Sequence, residues 1–277
     1  MELTLDIIAK ASAPGNPERE NEDCLDATPS CAWVIDGATS SSKTTIEGST
    51  SAAWFSKNLS EHLKNSTFTN PSHRVKAAVM HVRTLYDALP HDDAAPPSAA
   101  IGMISLTEGR GHFLALGDVS ILLQRAHAVT VLHEVPRTNL ERSLSQQIAE
   151  GIQRHENFSD VEERVFSAIE KRRRTKMNKE GGFWIVSIHP EAIDHAHIGT
   201  FDAKAGDRIL IASDGFTAAT QYGVIDSYRD ILDNPRSLNQ YIDKIRLVEQ
   251  EDSDMSKFPR VKLSDDASAL VVDIVEA

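Results

Sequence analysis

WVIDGATSSS, residues 33–42, begins as a buried strand would and stops on Asp36 and Gly37. An apolar run that ends in a carboxylate has two readings. Asp-Gly is favoured in tight turns, so the run can simply enter a hairpin. Alternatively, Asp36 holds something at the strand end, where a rigid scaffold presents side chains to a site. Three counterparts bear on the choice. HFLALGD (112–118) places Asp118 after an apolar run, RILIASDG (208–215) does the same with Asp214 and Gly215, and Asp265 and Asp266 precede the run ASALVVDI (267–274). The two Asp-Gly pairs are the only ones in the chain. Carboxylates brought together from four strand ends would repel one another unless a cation lay between them. Oxygen ligands without nearby Cys or His suit Mg²⁺ or Mn²⁺. Two such ions about 3.5–4 Å apart can activate water for phosphoester hydrolysis.

The hydrophobic pattern predicts strands at Leu3–Lys10, Cys31–Ile35, 99–106, 112–117, 120–125 and 128–133. Further strands are expected at 182–188, around 195–201, at 207–213 and at Ser268–Ile274, with residues 11–30 mostly loop. Helices are expected at 46–65, 73–89, 216–232 and 237–249, and two more within 138–176. Thr138 with Glu141, Ser159 with Glu162, and Ser237 with Gln240 have capping-box spacing. HDDAAPPS (91–98) reads as a loop. This order is not a regular βαβ alternation, so antiparallel sheets with helices packed outside fit better than a doubly wound parallel sheet.

The chain has 277 residues and a formal net charge of -12. That charge disfavours general binding to nucleic acid or to an anionic membrane. No apolar run approaches the roughly 20 residues needed to cross a bilayer, and the N-terminus does not have the pattern of a signal peptide. A cytoplasmic protein is therefore expected. Cys24 and Cys31 match no zinc or CxxC spacing and are expected to be free thiols.

In their order along the chain, NED (21–23), VIDG (34–37), ALGD (115–118), IASDGF (211–216) and DDAS (265–268) resemble the motifs of the metal-dependent protein phosphatases, the protein phosphatase 2C family of serine/threonine phosphatases. The resemblance implies an α+β fold, a four-layer αββα sandwich of two antiparallel sheets flanked by helices, formed as one catalytic domain over 1–277. It implies a centre of two, and with Asp118 three, Mg²⁺ or Mn²⁺ ions. By matching position, Asp36 would bridge two ions and Gly37 would offer its carbonyl. Asp214 and Asp265 would hold one ion, and Glu22 would reach the other. Asp23 would orient water, and a bridging hydroxide would attack phosphorus without a phosphoenzyme. The implied partner is a phosphorylated protein, and a monomer is expected.

The chain also departs from the family. The arginine that clamps the substrate phosphate is expected five residues before Asp23, where Glu18 stands. Either Arg19 takes its role or the clamp lies elsewhere. After Asp-Gly, many members keep two further glycines, where this chain has Ala38, Thr39 and Ser40, and Lys43 closes that loop. Segment 138–181 falls where the family carries a flap. Its KRRRTK (171–176) reads as a solvated helix end or as a contact for a phosphopeptide. GGFWIVSIHP (181–190) is expected in the core, and His195 and His197 on one strand face. Three functions stay open: a serine/threonine protein phosphatase, an inactive relative serving as a binding module, and a hydrolase of small phosphomonoesters.

Overall fold

Residues 31–35 do not alternate between core and solvent: all five side chains are buried. Ala32 and Val34 face one core, while Cys31, Trp33 and Ile35 face another. A strand with apolar packing on both faces belongs to a sheet that is covered on both sides. The computed structural model describes residues 2–40, 45–90, 96–136 and 139–277 and places this strand inside a layered sandwich. Lys43, residues 91–95 of the expected loop, Thr138 and the side chain of Leu140 lie outside the described residues.

The chain runs through β1 (Leu3–Ala13), β2 (Cys24–Thr28), β3 (Cys31–Gly37), β4 (Thr45–Ile46) and β5 (Ser49–Thr50) into helices α1 (Ser51–Asn65) and α2 (Pro71–Asp87). Four strands follow: β6 (Ser98–Thr107), β7 (Arg110–Leu116), β8 (Ser120–Arg125) and β9 (Ala128–His133). Then come α3 (Asn139–Gln153), α4 (Phe158–Lys176), β10 (Val186–Ser187), β11 (His197–Asp202) and β12 (Arg208–Ala212). The last elements are α5 (Asp214–Gln221), α6 (Tyr228–Asp233), α7 (Leu238–Glu251) and β13 (Ala267–Glu276).

One sheet has the order β1-β13-β12-β8-β9; the other has the order β11-β7-β6-β3-β2, with β10 beside β6. The named strand pairs are antiparallel. Between the sheets, Val34, Ile104 and Phe113 meet Ile121, Ile211, Leu270 and Val272. Outside the β3 sheet, Trp33, Ile35 and Met103 pack on Phe55, Leu59 and Val79 of α1 and α2. Outside the β13 sheet, Leu210 and Val271 pack on Phe216, Ile231, Ile242 and Ile245 of α5 to α7. These three cores separate four layers, which is the αββα order expected. Each large side chain buried there contributes roughly 1.5–3 kcal/mol.

The local differences have local causes. Helix α1 starts at Ser51 because Thr50 caps it, its Oγ1 accepting the Ala53 N–H at 3.2 Å. The residues before it form the β4–β5 hairpin, with Glu47 and Gly48 at positive φ. Strand β2 falls in a stretch expected to be loop: its five residues are half-buried at a sheet edge and mix polar with apolar. The stretch 216–232 splits into α5 and α6 around Gly223, at φ +68°. The expected strand at 182–188 shrinks to β10. Asn157, not Ser159, caps α4, its Oδ1 accepting the Ser159 N–H at 2.9 Å. Ser237 stands at the N-cap of α7 without a side-chain capping bond. Helices α3 and α4 share a small core of their own, with Leu144, Ile148, Val161 and Val165 around Met255. Cys24 and Cys31 are both free. Among the described residues, no helix is long and apolar enough to cross a membrane.

Candidate metal centre

Neither Asp-Gly pair makes a hairpin turn. Asp36 and Gly37 remain in β3, opposite Ala100 and Ala99 of β6. Asp214 is the first residue of α5. Their glycines answer to close packing instead. A Cβ on Gly37 would lie 2.4 Å from the Glu22 carbonyl oxygen, and one on Gly215 would lie 2.1 Å from that of Asp266. Gly37 therefore lets the loop before β2 press against the end of β3. Gly215 lets the loop before β13 press against the start of α5. Asp118 follows β7 after Gly117, whose φ of +98° suits glycine and where a Cβ would meet that of Ala100 at 2.4 Å.

Asp266 fastens these loops together. It accepts the Gly15 N–H at 2.8 Å and the Glu22 N–H at 2.6 Å. Ser213 Oγ donates to Asp23 Oδ2 at 2.9 Å and accepts the Ser268 N–H at 2.9 Å. One serine thus ties the first acidic motif to the last two.

The strand ends open into a cleft of about 790 Å³ lined by Asp36, Gly37, Asp118, Asp214 and Asp265. Asp214 is exposed, because it faces this opening. Even so, the protein around it and the neighbouring carboxylates disfavour its charged form. Surrounding protein, and after it Asp23, Asp214, Asp118 and Asp265, push the Asp36 carboxyl well above the ordinary range. Asp214 is pushed up in the same way, chiefly by the protein around it and then by Asp118 and Asp265. Asp118 is also raised, by burial first. Asp23 is pushed up to about 7 by burial and Asp266, against hydrogen bonds from Ser268 and Ser213 that lower it. A group of mutually repelling carboxylates in one cleft is a donor set that suits a hard divalent cation. Among the described residues, no three His, Cys, Asp or Glu side chains are gathered closely enough to hold an ion as they stand. The donor chemistry fits such a cation, although these side chains would have to turn to hold one.

The other expected residues are placed differently. Glu22 and Asp23 are buried behind the cleft wall. Both Glu22 oxygens accept hydroxyls, Oε1 from Thr50 at 2.8 Å and Oε2 from Thr39. Arg19 is exposed in the turn after Asn16 and does not line the cleft. His195 and His197 do not share a strand face. His195 ends a short 3-10 turn and stacks on Trp184, with ring centroids 3.4 Å apart, whereas His197 lies in β11 with its Nδ1 3.0 Å from His133 Nδ1. Trp184 is half-buried outside any strand, so 181–190 is cleft wall as much as core.

Sequence reasoning misses two cations. Lys262 Nζ donates to Asp265 Oδ1 at 2.6 Å and to Thr39 Oγ1 at 2.9 Å. Arg173, inside KRRRTK, is turned inward: its Nη1 donates to the Thr39 carbonyl at 2.6 Å and to Glu170 at 3.3 Å. The one sequence signal for Lys262 is its position three residues before Asp265. Nothing in the composition of 171–176 separates Arg173 from its neighbours.

A family model for protein phosphatase 2C matches residues 22–258. The layered fold and the order of its acidic strand ends thus define a class, and the chain belongs to the protein phosphatase 2C family. No curated protein sequence matches it. Among solved structures, it is similar to the Mycobacterium tuberculosis serine/threonine phosphatase PstP/Ppp, with 14% identity over 99% of each chain and a TM-score of 0.59. The catalytic domain of PstP in complex with two manganese ions is 16% identical, over 99% of this chain and 100% of that one, at a TM-score of 0.55. PppA, a key regulatory component of T6SS in Pseudomonas aeruginosa, is 12% identical over 99% and 100% of the two chains, at 0.56. At such identities the likeness establishes the fold.

Proposed function

We propose that this protein is a divalent-metal-dependent phosphatase that removes phosphate from phosphoserine and phosphothreonine in proteins. The observation that carries this reading is that Asp36, Asp118, Asp214 and Asp265 line one cleft, where neighbouring carboxylates disfavour the charged forms of Asp36, Asp118 and Asp214. Such a group is costly without a cation. Residues 1–277 act as one catalytic domain, with 138–181 as its flap.

We assign Asp36, the Gly37 carbonyl, Asp214, Asp265 and Glu22 to two Mg²⁺ or Mn²⁺ ions, and Asp118 to a third. When bound, the ions supply Lewis acidity towards water and towards the phosphoryl group. The chain does the rest. Asp23, fixed by Ser213, orients the attacking water. Arg173 stands at the cleft wall and replaces Arg19 as the phosphate clamp, because a guanidinium offers a fork of donors matched to phosphate oxygens. The wall formed by Arg172, Phe183 and Trp184 gives flanking peptide a surface, with the Arg172 guanidinium 4.5 Å from the centre of the Phe183 ring. No side chain is assigned as a nucleophile, so no phosphoenzyme forms.

One observation favours the second reading, a weak or inactive module: Lys262 already pairs with Asp265. The test is hydrolysis of p-nitrophenyl phosphate and of a phosphothreonine peptide by the purified protein with Mn²⁺. Turnover of both, abolished by EDTA, is expected. Absence of turnover at every Mn²⁺ and Mg²⁺ concentration would sink the enzyme reading. Turnover of the small ester alone would make the protein a phosphomonoesterase.

A further inference from the structure

Thr39 stands where many members of this family carry glycine, and in this chain its side chain has a role. Its hydroxyl accepts from the Lys262 ammonium at 2.9 Å and donates to Glu22 Oε2. The same ammonium donates to Asp265 Oδ1 at 2.6 Å. One lysine therefore reaches ligands assigned to opposite sides of the metal centre, Asp265 directly and Glu22 through a threonine. Asp265 Oδ1 also accepts the N–H of Asp266, at 3.0 Å.

We propose that Lys262 is a built-in counter-ion of this carboxylate cluster, anchored by Thr39, and that it competes with the divalent cation for Asp265. The proposal rests on the reading of the cleft as a metal centre. Its physics is that of charge placement. A cluster of carboxylates is stabilised by any nearby positive charge, and a fixed ammonium supplies one at no cost in association entropy. A divalent ion arriving at the same cluster meets a like charge and a ligand oxygen already engaged. Lys262 thus lowers the affinity for metal while it stabilises the metal-free protein. A lysine with only a structural role would shift both quantities in the same direction.

The experiment is calorimetric titration of Mn²⁺ into the metal-free protein and into Lys262→Met and Lys262→Arg, with melting temperatures of the metal-free forms. Lys262→Met is expected to bind Mn²⁺ about tenfold more tightly or better, the scale of a partly buried charge pair. Its metal-free form melts lower than the wild type, and Lys262→Arg, which keeps the charge, stays near wild type in both. If Lys262→Met binds Mn²⁺ equally or more weakly, the proposal is overturned. If none of the three proteins binds Mn²⁺, the metal centre itself is refuted and the proposal falls with it. Should Lys262→Met fail to fold, the wild type still decides the matter. Acetylation of Lys262 by an amine-reactive reagent, read by mass spectrometry, is expected to rise severalfold on saturation with Mn²⁺. An unchanged or reduced yield would overturn the competition.

Discussion

Asp36 and Asp214 and the cations Lys262 and Arg173 of this cleft come from two different kinds of chain. Asp36 and Asp214 stand at the ends of β3 and β12, whose backbones are bonded to neighbours on both sides. Lys262 comes from the loop before β13, and Arg173 from α4, which packs in a small core of its own. Strand ends are set by sheet register, so a register error in β3 would displace Asp36. The cations are set by docking, and each is held by a few hydrogen bonds that converge on Thr39. Sheet pairing places Asp36 and Asp214, and docking places the cations.

The strongest way to break this contrast is to neutralise the acidic wall. Asp36→Asn or Asp214→Asn is expected to lower turnover of both phosphoester substrates by about a thousandfold or more. The same change should raise the melting temperature of the metal-free protein, because it removes one member of a repelling group. A fall in both quantities would show that these aspartates matter for folding and not for chemistry.

Gly37→Ala probes the register that sets the wall. Its Cβ would meet the Glu22 carbonyl at 2.4 Å, a backbone contact that cannot swing aside. A loss of about 1–3 kcal/mol in chemical denaturation is expected, the usual cost of overpacking. The cationic wall should respond more mildly. Arg173→Ala is expected to raise KM for p-nitrophenyl phosphate, and the inhibition constant of inorganic phosphate, by about tenfold. Arg19→Ala should change either by no more than about twofold, as for other exposed surface residues. The reverse ranking would return the clamp to Arg19.

The smallest expected effect is a pH slope. Asp23 has a folded value of about 7, against an unfolded value in the ordinary carboxylate range. Between the two, the folded state keeps a proton that the unfolded state has released, so stability falls as pH rises from about 4 through 7. Asp36, Asp118 and Asp214 are shifted in the same direction. The metal-free protein should melt a few degrees lower at pH 8 than at pH 5, and saturating Mn²⁺ should flatten or reverse that slope. A metal-free protein that melts higher at pH 8 would contradict the assignment of these shifts.

Much of the acidic wall is legible in the sequence. Asp36, Asp118, Asp214 and Asp265 each adjoin an apolar run long enough to be a strand, and all four line the cleft. The reason for the glycines is not legible there. Both Asp-Gly pairs resemble turns locally, and only the packing of Glu22 and Asp266 against them shows that close approach is what excludes a side chain. Strand β2 escapes because a half-buried edge strand carries little hydrophobic signal. The true cap of α4, Asn157, escapes because Ser159 with Glu162 matches the capping-box spacing equally well.

The sequence by itself determined that antiparallel sheets carry helices outside and that carboxylates stand at the ends of apolar runs, while the four-layer order was what the family resemblance implied. Only the tertiary structure decided which positive charges meet that group. Arg19 lies closest in sequence to the first motif and is turned to solvent, while Arg173 and Lys262 reach Thr39 from residues far along the chain. Periodicity reports which face of an element is buried. It carries no information about which distant element docks on that face, and charge pairing across a cleft depends on that docking alone.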